Sequence, residues 1–169
     1  MKLKNYNLKE GNHFIAMEYY ALILNRTFLI LITDEYLIGL KVNGIVSVET
    51  NYGNPITKKI TNSLAITDDL ENPYSYAKDK YLNRLVEKDI FSNEILKDSS
   101  CNFRIKMKEI KRVFYAKTKK WGMGPYPHNG KVYIQLKKKR EFMILGNQSG
   151  EKIEKWINNY AQSSRRLRP

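Results

Sequence analysis

A chain of 169 residues can bury a sizeable core within one domain. An apolar share of 42% with twelve tyrosines excludes a disordered protein, and a lone cysteine, Cys101, excludes an internal disulfide or a cysteine metal cluster. The net charge of +13 is uneven: residues 1–100 carry 12 Lys+Arg against 13 Asp+Glu (−1), residues 101–169 carry 18 against 4 (+14), an asymmetry that suggests either a surface facing something anionic or a solvated face that keeps the protein soluble.

The opening stretch, MKLKNYNLKEG, has no apolar run followed by small residues, so no secretory signal is expected. Residues 2–8 alternate as a short strand, and Glu10-Gly11-Asn12 is a turn signal. Residues 14–24 predict a strand, with Asn25-Arg26 as a two-residue hairpin connection. Glu18, Asn25 and Arg26 interrupt 14–32 and argue against a membrane span. Residues 27–42 hold two apolar runs, 27–32 and 36–42, joined by polar Thr33-Asp34-Glu35. Each run is rich in β-branched, aromatic or leucine residues and short for a helix, which predicts an antiparallel pair.

Asn43-Gly44 is the next turn, and Ile45, Val46 and Val48 predict a further short strand. Residues 50–74 read as a long loop, with a short strand at 63–67. Asp68, Asp69 and Glu71 lack the ligand spacing of a calcium loop, so no metal is expected. Residues 76–96 predict a helix, capped by Ser75, with Leu82, Leu85, Val86 and Ile90 on one face; Phe91, Ile95 and Leu96 continue it or form a second turn.

Phe103, Ile105 and Met107 alternate with Arg104, Lys106 and Lys108, a half-buried strand with a basic outer face. Ile110, Val113 and Tyr115 continue in extended or turn form. Residues 117–131 hold two prolines and three glycines without periodicity, which makes a loop. Residues 131–136 alternate again, Lys137–Arg140 form a basic turn, and 142–145 return as a strand. Ile153, Trp156, Ile157 and Tyr160 then mark one face of a C-terminal helix, and 163–169 form a basic tail.

These elements predict a mainly β fold with α: a curled antiparallel barrel of about seven strands, capped by the C-terminal helix. The order of motifs resembles the bacterial pleckstrin-homology-like domains and their GRAM-type relatives. The carrying residues are Leu8-Lys9-Glu10-Gly11, then 31–38 (LITDEYLI), then Phe103-Arg104-Ile105 with Ile110 and Val113. The paired strands of 131–145 and the helix of 150–160 complete the series. The resemblance implies one PH-like domain over 1–162, with an insertion at about 50–100 that contains the helix near 76–96.

No catalytic signature occurs. His13 and His128 lie far apart, Gly122-Met123-Gly124 lacks a third glycine and a following helix, and Cys101 has no motif histidine. No enzyme activity, cofactor or metal is therefore expected. The candidate binding residues are Lys117, Lys119, Lys120, Trp121, Tyr126 and Lys131, with Lys137, Lys138, Lys139 and Arg140. Each Lys near an anionic membrane adds roughly 1 kcal/mol, and Trp favours headgroup depth. PH-like relatives bind phosphoinositides through the loop between their first two strands. Here that loop would be Asn25-Arg26, too short for a headgroup cage. The expected partner is an anionic lipid surface or an acidic protein, at a cytoplasmic location, peripheral to the inner membrane face. The alternatives are nucleic acid, through Arg104, Lys106, Lys108, Tyr115 and Tyr133, and self-association through exposed sheet edges.

Overall fold

The structure, a computed structural model, describes residues 1–21, 24–46, 69–118 and 128–166. Seven strands form one antiparallel sheet: β1 (His13–Ala21), β2 (Leu24–Ile32), β3 (Tyr36–Asn43), β4 (Phe103–Lys106), β5 (Arg112–Ala116), β6 (His128–Gln135) and β7 (Lys139–Leu145). Their order is β4-β3-β2-β1-β7-β6-β5, and the sheet curls into a half-barrel. The early and late strands meet where Ala16 pairs with Ile144 and Met17 with Met143. Among the described residues three α-helices accompany the sheet: α1 (Asp79–Leu85), α2 (Asn93–Lys97) and α3 (Gly150–Arg166).

The period of two along each strand sorts side chains between the two faces. Phe14, Ala16, Phe28, Ile30, Phe142 and Ile144 face inward and pack with Ile153, Ile157 and Ala161 of α3. Ile15, Met17, Leu29, Leu31, Met143 and Leu145 face outward and pack under Leu3, Tyr76, Leu85, Ile90 and Ile95. Thus β1, β2, β3 and β7 are covered on both faces. That accounts for the unbroken apolar runs that opened as a hairpin in the sequence, since a strand with no wet face has no need of alternation. The layer that covers the outer face is therefore formed by Leu3 and by residues between 76 and 95.

Within that layer the helix expected over 76–96 is broken, and its last residues form the second turn that the sequence left open. Pro73–Tyr76 forms a 3-10 turn, and α1 and α2 are separate short helices. The cause is the N-terminal segment, which takes the carbonyls that a continuous helix would use. Lys4 N–H donates to Val86 O, Leu3 N–H to Lys88 O, and Ile90 N–H to Met1 O. Ser92, not Ser75, provides a side-chain cap, accepting from Ile95 N–H at the start of α2. The expected strand over 2–8 is likewise a 3-10 turn, Leu3–Asn5, with a single bridge from Lys2 to Asp89.

Asn25 and Arg26 are inside β2 rather than in a connection, for β1 and β2 stay paired as far as Ala21 and Leu24. The buried Asn25 amide explains its place: it donates to Val46 O and accepts from Val46 N–H. It stands in for a strand neighbour, so Val46 has its main chain satisfied without a ladder. No strand is assigned at Ile45 or Val46. Val48 and the strand expected at 63–67 lie outside the described residues. Later, β7 begins at Lys139, so the turn before it is shorter than Lys137–Arg140. Helix α3 continues through the first residues of the expected tail, where Arg165 bonds the carbonyls of Ile110 and Lys111.

Candidate functional site: a basic seam between the sheet edges

A half-barrel leaves two edge strands, β4 and β5. The edge of β5 is closed by two α3 side chains one turn apart. Glu154 accepts from Tyr115 N–H at 2.9 Å, and Asn158 donates to Val113 O at 3.2 Å. The edge of β4 instead opens onto a cleft of about 790 Å³, lined by Ile105, Lys108, Glu109, Lys111, Leu136, Lys137, Lys138 and Arg140. Five cations against one anion leave the lining at +4. Among the described residues, Lys108, Lys111, Lys137 and Lys138 form no ion pair. Ile105 and Leu136 supply an apolar floor continuous with the inner core. A recess of this volume with a few polar groups at its rim suits ligand or segment binding.

Arg140 differs from its neighbours. Its guanidinium donates twice to Glu18, each at 2.9 Å, and lies 3.6 Å from the centre of the Phe103 ring. Arg26, directly across the ladder from Glu18, donates to the same carboxylate at 2.9 and 2.8 Å. Two guanidiniums thus share one carboxylate on the inner face. Burial lowers the Arg140 pKa and outweighs the pull of Glu18. At Arg26 burial acts in the same direction, but hydrogen bonding and attraction from Glu18 win, and its pKa is raised. Cys101 Sγ accepts from Arg26 Nη1 at 3.0 Å. Burial would push this thiol up; the Arg26 charge and hydrogen bonds from Arg26, Ser100 and Ser99 bring it below the ordinary value.

The candidate residues of the late half are dispersed. Lys137 and Lys138 lie on the seam. Lys139 points to the outer face, its Nζ 4.6 Å from the Tyr133 ring centre. Arg140, next in sequence, points inward, as strand periodicity requires. Lys131 is paired with Glu141 at 3.1 Å and its side chain is only 13% exposed, so it is not a free surface cation. Lys117 is exposed just after β5. Lys119, Lys120, Trp121 and Tyr126 lie outside the described residues. Nor do the residues considered for nucleic acid share one face. Arg104 lies over Tyr36 and bonds Phe91 O on the outer side, where Tyr133 also stacks on Phe114, whereas Tyr115 packs against the inner core and bonds Asn129.

Lys111, Ile105 and Leu136 are not binding candidates on the sequence, where Glu18 only interrupts an apolar run and Arg26 reads as part of a hairpin connection. No local signal could join them, because the seam is assembled from segments on opposite edges of the sheet. Among the described residues, no group of three or more His, Cys, Asp or Glu is placed to hold a metal, and no helix is long and apolar enough to cross a membrane. Comparison of the chain with family models, with characterised proteins and with solved structures finds no match.

Proposed function

We propose that this chain is a non-catalytic binding module of PH-like type that receives an acidic protein partner at the seam. The observation that carries the reading is the set of four lysines, without ion pairs among the described residues, around a recess with an apolar floor. Like charges gathered at one site repel each other, so the arrangement costs stability unless an anion is its use. A recess fits a protein segment better than a flat lipid surface. A membrane at the same basic end is the second source of anions. Nucleic acid is less well served: the Phe114 and Tyr133 rings stack at 4.8 Å, and Arg112 and Lys139 lie over them as well, which leaves little room for bases. The PH-like assignment is supported by seven antiparallel strands in a curl that holds a C-terminal helix, the arrangement that the resemblance implies.

The test is retention on immobilised heparin, a generic polyanion, beside co-sedimentation with phosphatidylserine and phosphatidylcholine vesicles. The wild type is compared with a Lys108→Ala, Lys137→Ala, Lys138→Ala variant. Retention by heparin that drops in the variant, with weak sedimentation by either vesicle, is the expected result. Equal behaviour of the two proteins on every anion removes the seam as the site.

A further inference from the structure

The main chain of β4 says what kind of acidic partner fits, on the reading of the seam as an anion site. Tyr36 stands opposite Lys106 in the β3–β4 ladder, with Ile38 opposite Arg104. Tyr36 uses its N–H on Thr33 Oγ1, and its C=O accepts from Thr33 N–H. Met107 N–H goes to Glu35 O. In an antiparallel ladder, successive residues turn their main-chain groups to opposite sides. The Lys106 N–H, and both main-chain groups of Arg104, therefore point away from β3, on the strand whose Ile105 lines the seam. Among the described residues they meet no strand. The equivalent groups of β5 are covered by Glu154 and Asn158, which makes β4 the open edge of the two.

The geometry points to an extended acidic peptide segment that adds to the free edge of β4 as an eighth strand. Its alternate side chains would divide between the apolar floor of Ile105 and Leu136 and the lysine rim. Edge pairing supplies affinity through the main chain, and the alternation supplies selectivity. Charge selects the occupant. Arg104, Lys106 and Lys108 along this edge repel the same edge of a second copy, a common device against self-pairing. An acidic strand meets the opposite situation.

The Lys106 backbone permits a direct test. Its φ of −67° and ψ of 131° suit proline, so Lys106→Pro deletes the outward N–H without strain. Lys106→Ala removes the same charge and keeps the N–H. The probe is a fluorescein-labelled octapeptide of alternating valine and glutamate with blocked termini, followed by anisotropy with the full chain. A second probe has the same sequence with alternate amides N-methylated. We expect the wild type and Lys106→Ala to bind the first probe within about threefold of each other. The Lys106→Pro variant, and the methylated probe on wild type, should each lose at least about tenfold, the scale of one lost hydrogen bond. If the methylated probe binds wild type as well as the first, strand addition is overturned and the anion reading stands, whatever the proline variant does. If heparin is retained but neither peptide binds, the peptide occupant is overturned. If no anion binds at all, both readings fall.

Discussion

The Arg140 guanidinium lies 3.6 Å from the centre of the Phe103 ring. These residues sit on β7 and β4, strands that are not neighbours in the sheet. Their contact therefore crosses the inner face and ties an edge strand to the half that closes on β1. Phe103 reaches this position across Gly39, its ladder partner on β3, where any Cβ would lie 2.0 Å from the ring. Glu18 then holds Arg140 in register from β1.

Glu18→Gln keeps the shape and removes the charge that two guanidiniums share. Glu18 is 12% exposed, and Arg26 and Arg140 are 22% and 20% exposed. Breaking such a cluster leaves two cations facing each other. The expected loss is about 3 kcal/mol, the lower end for a broken buried pair because these groups keep some solvent. Urea denaturation of both proteins measures it; a loss below about 0.5 kcal/mol, the size of a neutral surface change, would refute the account.

Gly39→Ala forces the Phe103 ring aside. Overpacking of this kind costs about 1–3 kcal/mol. The informative measurement is a double-mutant cycle with Phe103→Ala. In that background the ring is gone and Gly39→Ala should cost little. Additive losses would mean that the glycine serves something other than the ring.

His13 gives a pH dependence. Burial lowers its pKa, and its ring bonds Tyr74 Oη and Lys9 O. The folded state thus holds the proton less well than the unfolded chain, whose histidine titrates near about 6.5. Stability from this residue is complete above that pH and is lost as pH falls through the lower, folded value. Thermal unfolding at about pH 7.5 and about pH 5.5 should show a larger drop for wild type than for His13→Gln. Equal drops would remove His13 as a contributor.

Cys101 reports on the Arg26 charge. The thiol is held below its ordinary pKa by Arg26, against burial. Arg26→Gln should raise the midpoint of the iodoacetamide rate-against-pH profile, because the thiolate is the reacting form. A midpoint that stays put would show that the serine hydrogen bonds alone set it.

Much of the fold was legible as local periodicity. The runs on either side of Thr33-Asp34-Glu35 form β2 and β3, and Phe103, Ile105 and the face of Ile153, Trp156 and Ile157 lie where alternation and helical spacing put them. The helix over 76–96 misled because its stripe, which includes Leu85 and Ile90, is a true buried stripe: apolar spacing reports burial against a sheet, and it is blind to main-chain partners from residues 1–5. Asn25 misled in a similar way, since a turn former in sequence can also mimic a strand neighbour for Val46.

The candidate site was half legible. Composition located the basic end of the chain, and Lys137 and Lys138 lie on the cleft. Lys139 and Arg140 form one patch with them in sequence, but the pleat sends one to the outer face and the other to Glu18.

The sequence by itself determined the class of the fold, most of its strands, the C-terminal helix and the half that carries the charge, because these follow from periodicity and composition along the chain. Only the tertiary structure decided which cations remain without acid partners among the described residues, which segments cover the outer face, and how the edges at β4 and β5 differ. Those are relations between segments brought together by the curl of the sheet, and no spacing along the chain encodes them.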